Sequence, residues 1–596
     1  DLIHIATTVE HEYGHTWRGD LVTVRSWHEI ALKEGFQSLM DNLFSETLLG
    51  ATVGRIRDVR LIRMVQFPKD AGATAHAIWP EQYEGDPSSS MYTVTTYDKG
   101  AEVIGMVRTI VGAEKFRAGT DKYFKDFFGK AATIDDLVNC LEAGSGVNLQ
   151  QFKNWFTQVG TPECEVIGNY DENAQTFSLQ VTQRPGRGDM KDPLHFPLNM
   201  GFVGANGEDF PLELQGDAGN HDLKRGVLNI TRETEDFVFK NVPKGAIPSL
   251  LRGFSAPVKL KYNYSHEDLL RLMRYDSDGF NRYEAGYRIA KQELMRLIDL
   301  FKKGESMAVN SGVLDSYEGV LGDLMTVDPA LASEMLVIPD ESELVQDMEI
   351  YDYDAAKAAR DALREAIARK FRDRFVGLYD KFDILSKEAE EKKDAEAINL
   401  EAIQNRRVKN VCLSYLCEVR GEAEVDLIKK QFVEARNLND EYTALALLAD
   451  IPAEREAALE AFYKKWQHEE LVINRWLIIN GSMDDVAVVR RVRALVESPL
   501  FDIGKPGHVY NLVIFGFARN YVHLHNKLGD GYELVGDVVM KLGNTDVACR
   551  LIETAFGNFP KMDKERQGLM KKQLDRIIEA GGLSDDTKKR AKKVLG

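Results

Sequence analysis

The sequence predicts a multidomain, mainly α-helical protein that combines a helical first region, a small β-sandwich and a C-terminal α-solenoid. Its 596 residues exceed what one hydrophobic core usually organises. Apolar residues recur at helical spacing near both ends of the chain, whereas the runs between them alternate apolar and polar residues. We therefore expect three domains, over residues 1–160, 161–257 and 258–596.

The middle region has the pattern of antiparallel strands. Residues 176–181 (TFSLQV) alternate apolar and polar side chains over a length typical of a strand. Turn-forming residues separate such runs, as at 171–173 (DEN) and 205–207 (ANG). This alternation predicts the small β-sandwich.

Amphipathic helical segments succeed one another from residue 258 onward. Residues 453–466 are an example, where Pro452 suits the first turn of a helix. No strict repeat period is visible, so the pattern does not identify a consensus repeat family. We interpret this region as an α-solenoid.

Composition excludes several classes of protein. Hydrophobic residues make up 44% and charged residues 29%, as in ordinary globular proteins, and no apolar run is long enough for a membrane span. A net charge of −18 opposes a nucleic-acid partner. Five cysteines form no C-x-x-C pair, so we expect a reducing, cytoplasmic location. Because the chain begins without Met inside a helix-like pattern, we expect its natural N-terminus not to be represented.

The motif His11-Glu12-Tyr13-Gly14-His15 carries the chemistry of the first region. On a helix, positions i and i+4 lie on one face, so His11 and His15 can direct ring nitrogens at one Zn²⁺. Glu12 points in a different direction, which leaves its carboxylate free to act on water. A bare H-E-x-x-H motif also arises by chance, so further ligands are needed.

A second helical segment supplies the missing ligand. Glu34 and Asp41 are seven residues apart and fall on one helix face. Two His and one Glu form a known catalytic zinc set with one position open for water. Asp41 can accept the second ring N–H of a zinc-bound histidine and so orient it. We therefore predict one zinc per chain, bound by His11, His15 and Glu34.

With these motifs the sequence resembles the aminopeptidase N family of gluzincin zinc metallopeptidases, in its bacterial and apicomplexan type. The resemblance covers the whole chain. It is carried by residues 11–17 (HEYGHTW), 32–35 (LKEG), 92–103 (YTVTTYDKGAEV), 159–162 (VGTP, where the family has SGTP) and 254–260 (FSAPVKL).

The resemblance implies a thermolysin-like catalytic domain in residues 1–160 and hydrolysis of N-terminal amino acids from peptides. It makes Glu12 the general base, and Tyr97 the donor of a hydrogen bond to the oxyanion that forms at the scissile carbonyl. By the same resemblance Tyr92 lines the first substrate pocket, and Lys33 stands next to the zinc ligands without binding the metal. Arg550 then faces the substrate cavity, where it can bind a peptide carboxylate.

Three departures from the family pattern qualify this expectation. The family recognises the substrate amine with a Gly-x-Met-Glu-Asn segment and an N-terminal β domain, neither of which is in this sequence. We therefore expect that the N-terminal part of the same protein is missing from the chain, with an amine anchor supplied by another chain as the alternative. Gly14 replaces a usual Phe and is expected to admit a neighbouring side chain. A second arginine expected near Tyr510 is Asn511 here.

Two other classes of function stay open at this stage. Zinc and Glu12 do not fix the substrate, so an endopeptidase or an epoxide-opening hydrolase on the same scaffold is one alternative. A non-catalytic protein whose helical array binds partners is the other, although such a protein is expected to have lost its zinc ligands. The chain alone can also be inactive, because the amine-binding segment is absent.

Overall fold

The structure is a computed structural model that describes residues 2–72, 74–81, 91–186, 192–216, 219–392, 398–543 and 545–596. The chain folds into two compact units, residues 1–289 and 290–596. The first unit holds the candidate zinc ligands and all the described strands.

Helices build most of the first unit. In chain order they are α1 (Leu2–Gly14), α2 (Ile30–Leu49), α3 (Ala51–Leu61), α4 (Phe67–Ala71), α5 (Gly100–Val111), α6 (Ala113–Asp126), α7 (Ile134–Ser145), α8 (Asn154–Thr157) and α9 (His266–Tyr275). Two π-helical segments, Ile62–Gln66 and Thr95–Lys99, interrupt this series. A tenth helix, α10 (Gly279–Lys303), continues into the second unit.

Helix α2 is the centre of the first unit. It packs against α1, α3, α5 and the π-helical segment Thr95–Lys99. Because it has neighbours on several sides, it buries polar residues as well as apolar ones, including Glu34, Gln37 and Ser38. Polar groups buried in this way usually have hydrogen-bond partners, and here those partners form the candidate site.

The strands of the first unit form two four-stranded sheets and one two-stranded sheet. Their bounds are β1 (Thr23–Val24), β2 (Ala131–Ala132), β3 (Glu163–Asp171), β4 (Thr176–Arg184), β5 (Phe196–Val203), β6 (Asp209–Phe210), β7 (Val227–Ile230), β8 (Thr234–Phe239), β9 (Ile247–Leu250) and β10 (Lys259–Lys261). One larger sheet has the order β10-β3-β4-β8, and in the other β5 pairs with β6, β7 and β9. Pairing is antiparallel in both except between β10 and β3, which run parallel.

The predicted strand and turns of the middle region are present. Residues 176–181 lie in β4, which pairs with β3 from Thr176↔Asp171 to Arg184↔Glu163. Asp171 Oδ1 accepts hydrogen bonds from the backbone N–H groups of Asn173 and Ala174, which closes the turn between the two strands. Residues 205–207 likewise form a turn.

The second unit consists of successive helices in all its described parts. The helices of nine residues or more are Ser311–Gly319, Tyr353–Lys370, Arg372–Glu391, Leu400–Val419, Glu422–Glu434, Leu438–Ala449, Arg455–Trp466, Glu470–Ser482, Val488–Val496, Asp530–Leu542, Asp546–Phe556, Lys564–Glu579 and Asp585–Leu595. Shorter helices are Met325–Val327, Pro329–Met335, Glu341–Leu344, Pro506–His508 and Tyr521–Leu524, and π-helical segments lie at Val320–Leu324 and Val509–Phe517.

Side-chain caps fix where several of these helices begin. Asp352, Asn437, Asp563 and Ser584 each accept a hydrogen bond from a backbone N–H in the first turn of the helix that follows. Such caps satisfy donors that a helix N-terminus leaves without partners. One helix begins later than predicted. The helix expected from residue 453 begins at Arg455, and Pro452 lies in the turn before it.

The predicted fold class is confirmed, with a mainly helical chain, a small β region and a C-terminal helical array. The division at residues 160 and 257 stays a proposal. Strand β10 lies just beyond residue 257, and it pairs with β3 of the middle region. None of the helices within the described residues is both long and apolar enough to cross a membrane.

Candidate active site

His11 lies in the last turn of α1, and His15 directly follows the end of that helix. Their ring centroids are 4.6 Å apart and their planes are nearly perpendicular. Glu34 is buried on α2, and its Oε2 atom lies 3.3 Å from Nε2 of each histidine. One ligand atom from each of the three residues can be chosen so that all lie within 4.8 Å of one another. Two ring nitrogens and a carboxylate oxygen therefore converge on one point.

The other ring nitrogen of each histidine has its own acceptor. His11 Nδ1 lies 2.6 Å from Asp41 Oδ2, and His15 Nδ1 lies 2.9 Å from the carbonyl oxygen of Arg18. A carbonyl oxygen can only accept, so Nδ1 of His15 carries a proton. Asp41 likewise favours a proton on Nδ1 of His11. When a ring loses its second proton, Nε2 is left with the lone pair that binds a cation.

Gln37 connects these supports, and the sequence analysis did not select it. It is fully buried on α2, where its Nε2 donates to Asp41 Oδ1 and to Glu10 Oε2, both at 3.1 Å. Arg18 Nε donates to Gln37 Oε1 at 2.6 Å. The available signal was spacing, because Gln37 is three residues after Glu34 and four before Asp41 on the same helix.

Gly14 leaves room for this amide, as its departure from the family pattern led us to expect. A Cβ atom built on Gly14 would lie 2.3 Å from both Nε2 and Oε1 of Gln37. Real Cβ contacts are not that short, so any side chain at position 14 must displace Gln37. Gly14 and Gln37 are therefore structurally coupled.

Tyr97 lies in the π-helical segment Thr95–Lys99, which packs against α2. The contact is close at Gly35, where an added Cβ would lie 2.8 Å from the carbonyl oxygen of Thr96. The Tyr97 ring centroid is 6.2 Å from that of His11 and 6.3 Å from that of Tyr92. The structure thus brings Tyr97 beside His11, and Tyr92 beside Tyr97.

Electrostatics in the site favour positive charge between the carboxylates. Hydrogen bonds to Asp41 and then to Glu34 raise the pKa of the His11 imidazole to about 10. Burial alone would raise the pKa of Glu34, but hydrogen bonds from His11 and His15 hold it well below its ordinary value. Burial, followed by the charge of Glu34, raises the pKa of the Tyr97 phenol, which therefore stays protonated and able to donate.

The remaining predicted site residues occupy different settings. Glu12 is exposed on α1 and close enough to Tyr97 to raise the pKa of its phenol. Lys33 Nζ lies 3.2 Å from Glu34 Oε1. Arg550 is exposed on the helix Asp546–Phe556 of the second unit, and its role stays a prediction.

A buried ion pair anchors the segment that carries Tyr97. Lys99 and Asp70 are both about 1% exposed, and Lys99 Nζ lies 2.7 Å from Asp70 Oδ2. Lys99 also donates to the carbonyl oxygen of Gly160, and Thr161 Oγ1 donates to Asp70. The motif at residues 159–162, quoted above for its resemblance, therefore contacts the site through this pair. The sequence analysis did not select Lys99 or Asp70.

Models of three protein families match the chain in succession. A peptidase family M1 domain matches residues 1–156. A domain of unknown function described as DUF3458, with an Ig-like fold, matches residues 160–263. The related C-terminal domain of unknown function, described as ARM repeats, matches residues 266–596.

Curated relatives and a solved structure are similar over nearly the whole chain. Aminopeptidase N of Haemophilus influenzae is 34% identical, with all of this chain and 67% of that protein aligned. Aminopeptidase N of Escherichia coli is 33% identical, with the same shares covered. The crystal structure of Legionella pneumophila aminopeptidase A in complex with aspartic acid superposes with a TM-score of 0.84 at 30% identity. That match covers 99% of this chain and 65% of the other, so the chain spans about two thirds of the length of these relatives.

Proposed function

Because the chain belongs to the aminopeptidase N family of the M1 peptidases, we propose that its protein removes N-terminal amino acids from peptides by zinc-dependent hydrolysis. The observation that carries this proposal is the convergence of His11 Nε2, His15 Nε2 and Glu34 Oε2. These are donor atoms of one known type of catalytic zinc site.

The three residues fit a zinc ion. Ligand atoms about 2.0–2.1 Å from a tetrahedral zinc are roughly 3.4 Å from one another. The distances from Glu34 Oε2 to the two histidine Nε2 atoms are both 3.3 Å. Asp41 and Glu34 stabilise positive charge at His11. A divalent cation bound there would supply such positive charge. His11, His15 and Glu34 would hold one zinc per chain and leave a position for water.

Glu12 and Tyr97 have separate roles in hydrolysis. When bound, zinc supplies Lewis-acid chemistry that makes water more acidic and polarises the substrate carbonyl. Glu12 accepts a proton from the attacking water and passes it to the leaving amine. The Tyr97 phenol donates a hydrogen bond to the developing oxyanion, and its raised pKa keeps that proton in place.

Supporting residues position this machinery. Asp41 fixes the His11 ring, and Lys33 places a positive charge beside Glu34. We assign Tyr92 to the wall of the first substrate pocket, with its distance from Tyr97 as support. For Arg550 we retain the role of binding a peptide carboxylate, supported by its exposed side chain.

The test compares substrates with free and blocked N-termini. We expect the zinc-loaded full-length protein to hydrolyse amino-acid 4-nitroanilides and to leave N-acetylated peptides intact. In Glu12→Ala we expect activity to fall by at least about 10²-fold, since a positioned base contributes about 10²–10⁴ in rate. Glu114→Ala, an exposed residue of α6, is the matched control and should retain full activity.

Each of the following outcomes would overturn the proposal. Hydrolysis of N-acetylated peptides at the rate of free ones would make the protein an endopeptidase on the same scaffold. Zinc-independent activity, or full activity in Glu12→Ala, would remove the mechanism. Absence of any hydrolysis together with bound zinc would favour a binding function.

We also propose a reducing, cytoplasmic location. The support is cysteine use, because all five cysteines are free thiols and four of them are buried. Cell fractionation of the natural host checks this, and recovery in an extracellular fraction would contradict it.

A further inference from the structure

A cavity of about 280 Å³ lies in the first unit, apart from the candidate zinc site. Helices α2, α3 and α5, the loop at residues 253–255 and the start of α10 form its walls. Neither the three candidate zinc ligands nor Glu12, Tyr92 or Tyr97 line it. Its volume is close to the lower limit of small-ligand pockets, which is about 300 Å³. The cavity can therefore hold a small molecule that does not contact the zinc ligands.

Most of the charged groups in the wall of this cavity are already engaged. Six charged side chains line it: Glu46, Arg55, Asp58, Glu102, Arg108 and Asp278. The guanidinium of Arg55 donates to both carboxylate oxygens of Glu102, at 2.5 and 2.6 Å. Asp278 Oδ1 accepts hydrogen bonds from two backbone N–H groups. Asp58 Oδ2 is closed to solvent, and burial raises the pKa of Asp58 to about 7, so this carboxyl is only partly ionised near neutral pH.

Glu46 and Arg108 remain without partners. Glu46 lies on α2 and Arg108 on α5, and within the described part of the chain neither side chain forms a hydrogen bond or an ion pair. Burial raises the pKa of the half-buried Glu46 carboxyl, against the opposing charges of Arg55 and Arg108. The cavity thus presents one acidic and one basic group that do not meet. Since it is unfavourable to leave a charge partly removed from water without a partner, Glu46 favours a cationic ligand group.

These two opposite charges select the class of ligand. A bare metal ion is disfavoured because the two arginines in the wall repel it, and a simple anion is disfavoured because Glu46 repels it. A molecule with one cationic and one anionic group can make a charge-assisted hydrogen bond to each. The wall also has apolar side chains for an aliphatic group to contact, from Leu39, Leu43, Met106 and Phe280. An α-amino acid has all three features.

We propose that this cavity binds a free amino acid with an aliphatic side chain, such as leucine. Glu46 accepts hydrogen bonds from its ammonium group, and Arg108 donates to its carboxylate. The inference goes beyond the proposed peptide hydrolysis and does not depend on it, because the cavity shares none of the proposed catalytic residues. A ligand held by both groups bridges α2 and α5 and stabilises the folded protein.

Calorimetric titration with L-leucine tests the site. The zinc-loaded full-length protein is compared with its Glu46→Gln and Arg108→Met variants, and we expect each variant to bind one leucine fewer per chain. Asp121→Asn and Arg117→Met, at an exposed ion pair of α6, are the matched controls and should bind as many as the unmodified protein. Equal binding by the cavity variants and the unmodified protein would overturn the proposal.

Two analogues test the class of ligand. L-leucinol lacks the carboxylate, and N-acetyl-L-leucine lacks the cationic amine. For each ligand, the number bound by Glu46→Gln is subtracted from the number bound by the unmodified protein. We expect a difference of one for leucine and none for either analogue. A difference of one for an analogue would show that a single charge is enough for binding, which would overturn the assignment to an amino acid.

Thermal unfolding of the zinc-free protein distinguishes failure of this proposal from failure of the proposed function. Without zinc no hydrolysis is expected, whereas the cavity should still bind leucine because no candidate zinc ligand lines it. We expect saturating leucine to raise the midpoint of unfolding of the unmodified protein by about 2 °C and that of Arg108→Met not at all. A shift only in the unmodified protein supports the site even if the zinc-loaded protein hydrolyses no peptide. An unchanged midpoint in the unmodified protein rejects the site even if peptides are hydrolysed.

Discussion

In the candidate site, each histidine uses one ring nitrogen for a supporting hydrogen bond and directs the other towards the proposed zinc position. Each histidine directs Nδ1 to an oxygen acceptor and Nε2 to Glu34. Protein metal sites commonly hold their histidines in this way, since the outer hydrogen bond fixes both tautomer and orientation. The support of His11 comes from a charged group and that of His15 from the backbone, so only the former can be removed by substitution.

Removal of the Asp41 charge should weaken zinc binding. We expect Asp41→Asn to lower zinc affinity by about 10–100-fold, as the loss of such a hydrogen-bond partner usually does. Competition with a chelator of known affinity measures the change. Asp121→Asn serves as the control, and an unchanged affinity in Asp41→Asn would show that the contact to His11 Nδ1 has no part in metal binding.

The coupling of Gly14 to Gln37 is open to a double-mutant cycle. Alanine at position 14 improves helix propensity by about 1 kcal/mol but introduces overpacking that typically costs about 1–3 kcal/mol. We expect Gly14→Ala to be destabilising alone and to become stabilising when Gln37→Ala removes the amide that it meets. The midpoint of thermal unfolding measures both. Additive effects of the two substitutions would disprove the coupling.

Sequence spacing could predict the candidate ligands but not all of their supports. His11, His15, Glu34 and Asp41 follow helical periods within two neighbouring helices, and the structure places them together. Gln37 shares the helical spacing of Glu34 and Asp41, but its role depends on the space left by Gly14, which spacing does not reveal. Lys99 and Asp70 are 29 residues apart and meet only through the tertiary fold.

Among the elements, the π-helical segment Thr95–Lys99 is constrained at two places. It must approach α2 closely at Gly35, and it holds Tyr97 with one end fixed by Lys99. Single π-helical turns inside helices often occur at functional sites. The Lys99–Asp70 pair thus links the placement of Tyr97 to the start of the β region at Gly160 and Thr161.

Breaking this pair should be costly. We expect Lys99→Met to destabilise the protein by about 3–5 kcal/mol, because it leaves the Asp70 carboxylate buried without a counter-charge. The double variant Lys99→Met with Asp70→Asn should recover part of that loss. Lys122→Met breaks an exposed pair with Asp126 and should change the stability little, because solvent screens such a pair.

Chemical denaturation of the zinc-free protein measures these differences. Equal effects of Lys99→Met and Lys122→Met would contradict the importance of the buried pair. The comparison is matched because both substitutions replace a paired lysine with the same side chain.

At this scale the sequence predicted element types better than their ends and pairings. The alternation at residues 176–181 correctly indicated a strand. The helix expected after Pro452 begins at Arg455, since the residues between form a turn. The parallel pairing of β10 with β3 joins residues about 100 positions apart, and local periodicity carries no information about such a pairing.

For the whole molecule, composition and periodicity were enough for the fold class, whereas family membership came from motifs along the full chain. The H-E-x-x-H motif alone is compatible with several hydrolases. Three successive family matches across residues 1–596 narrow that choice. The proposed activity depends in turn on one property of the folded chain, which is a zinc ion held by three named residues.

Zinc content measured by mass spectrometry on protein dialysed at neutral pH tests that property most directly. We predict about one zinc per chain in the unmodified protein and in Glu12→Ala, and much less in His11→Ala and Glu34→Ala. Restored thermal stability on adding zinc should follow the same order, because a ligand that binds only the folded state stabilises it. A chain without zinc, or zinc retained in full by His11→Ala and Glu34→Ala, would contradict the account.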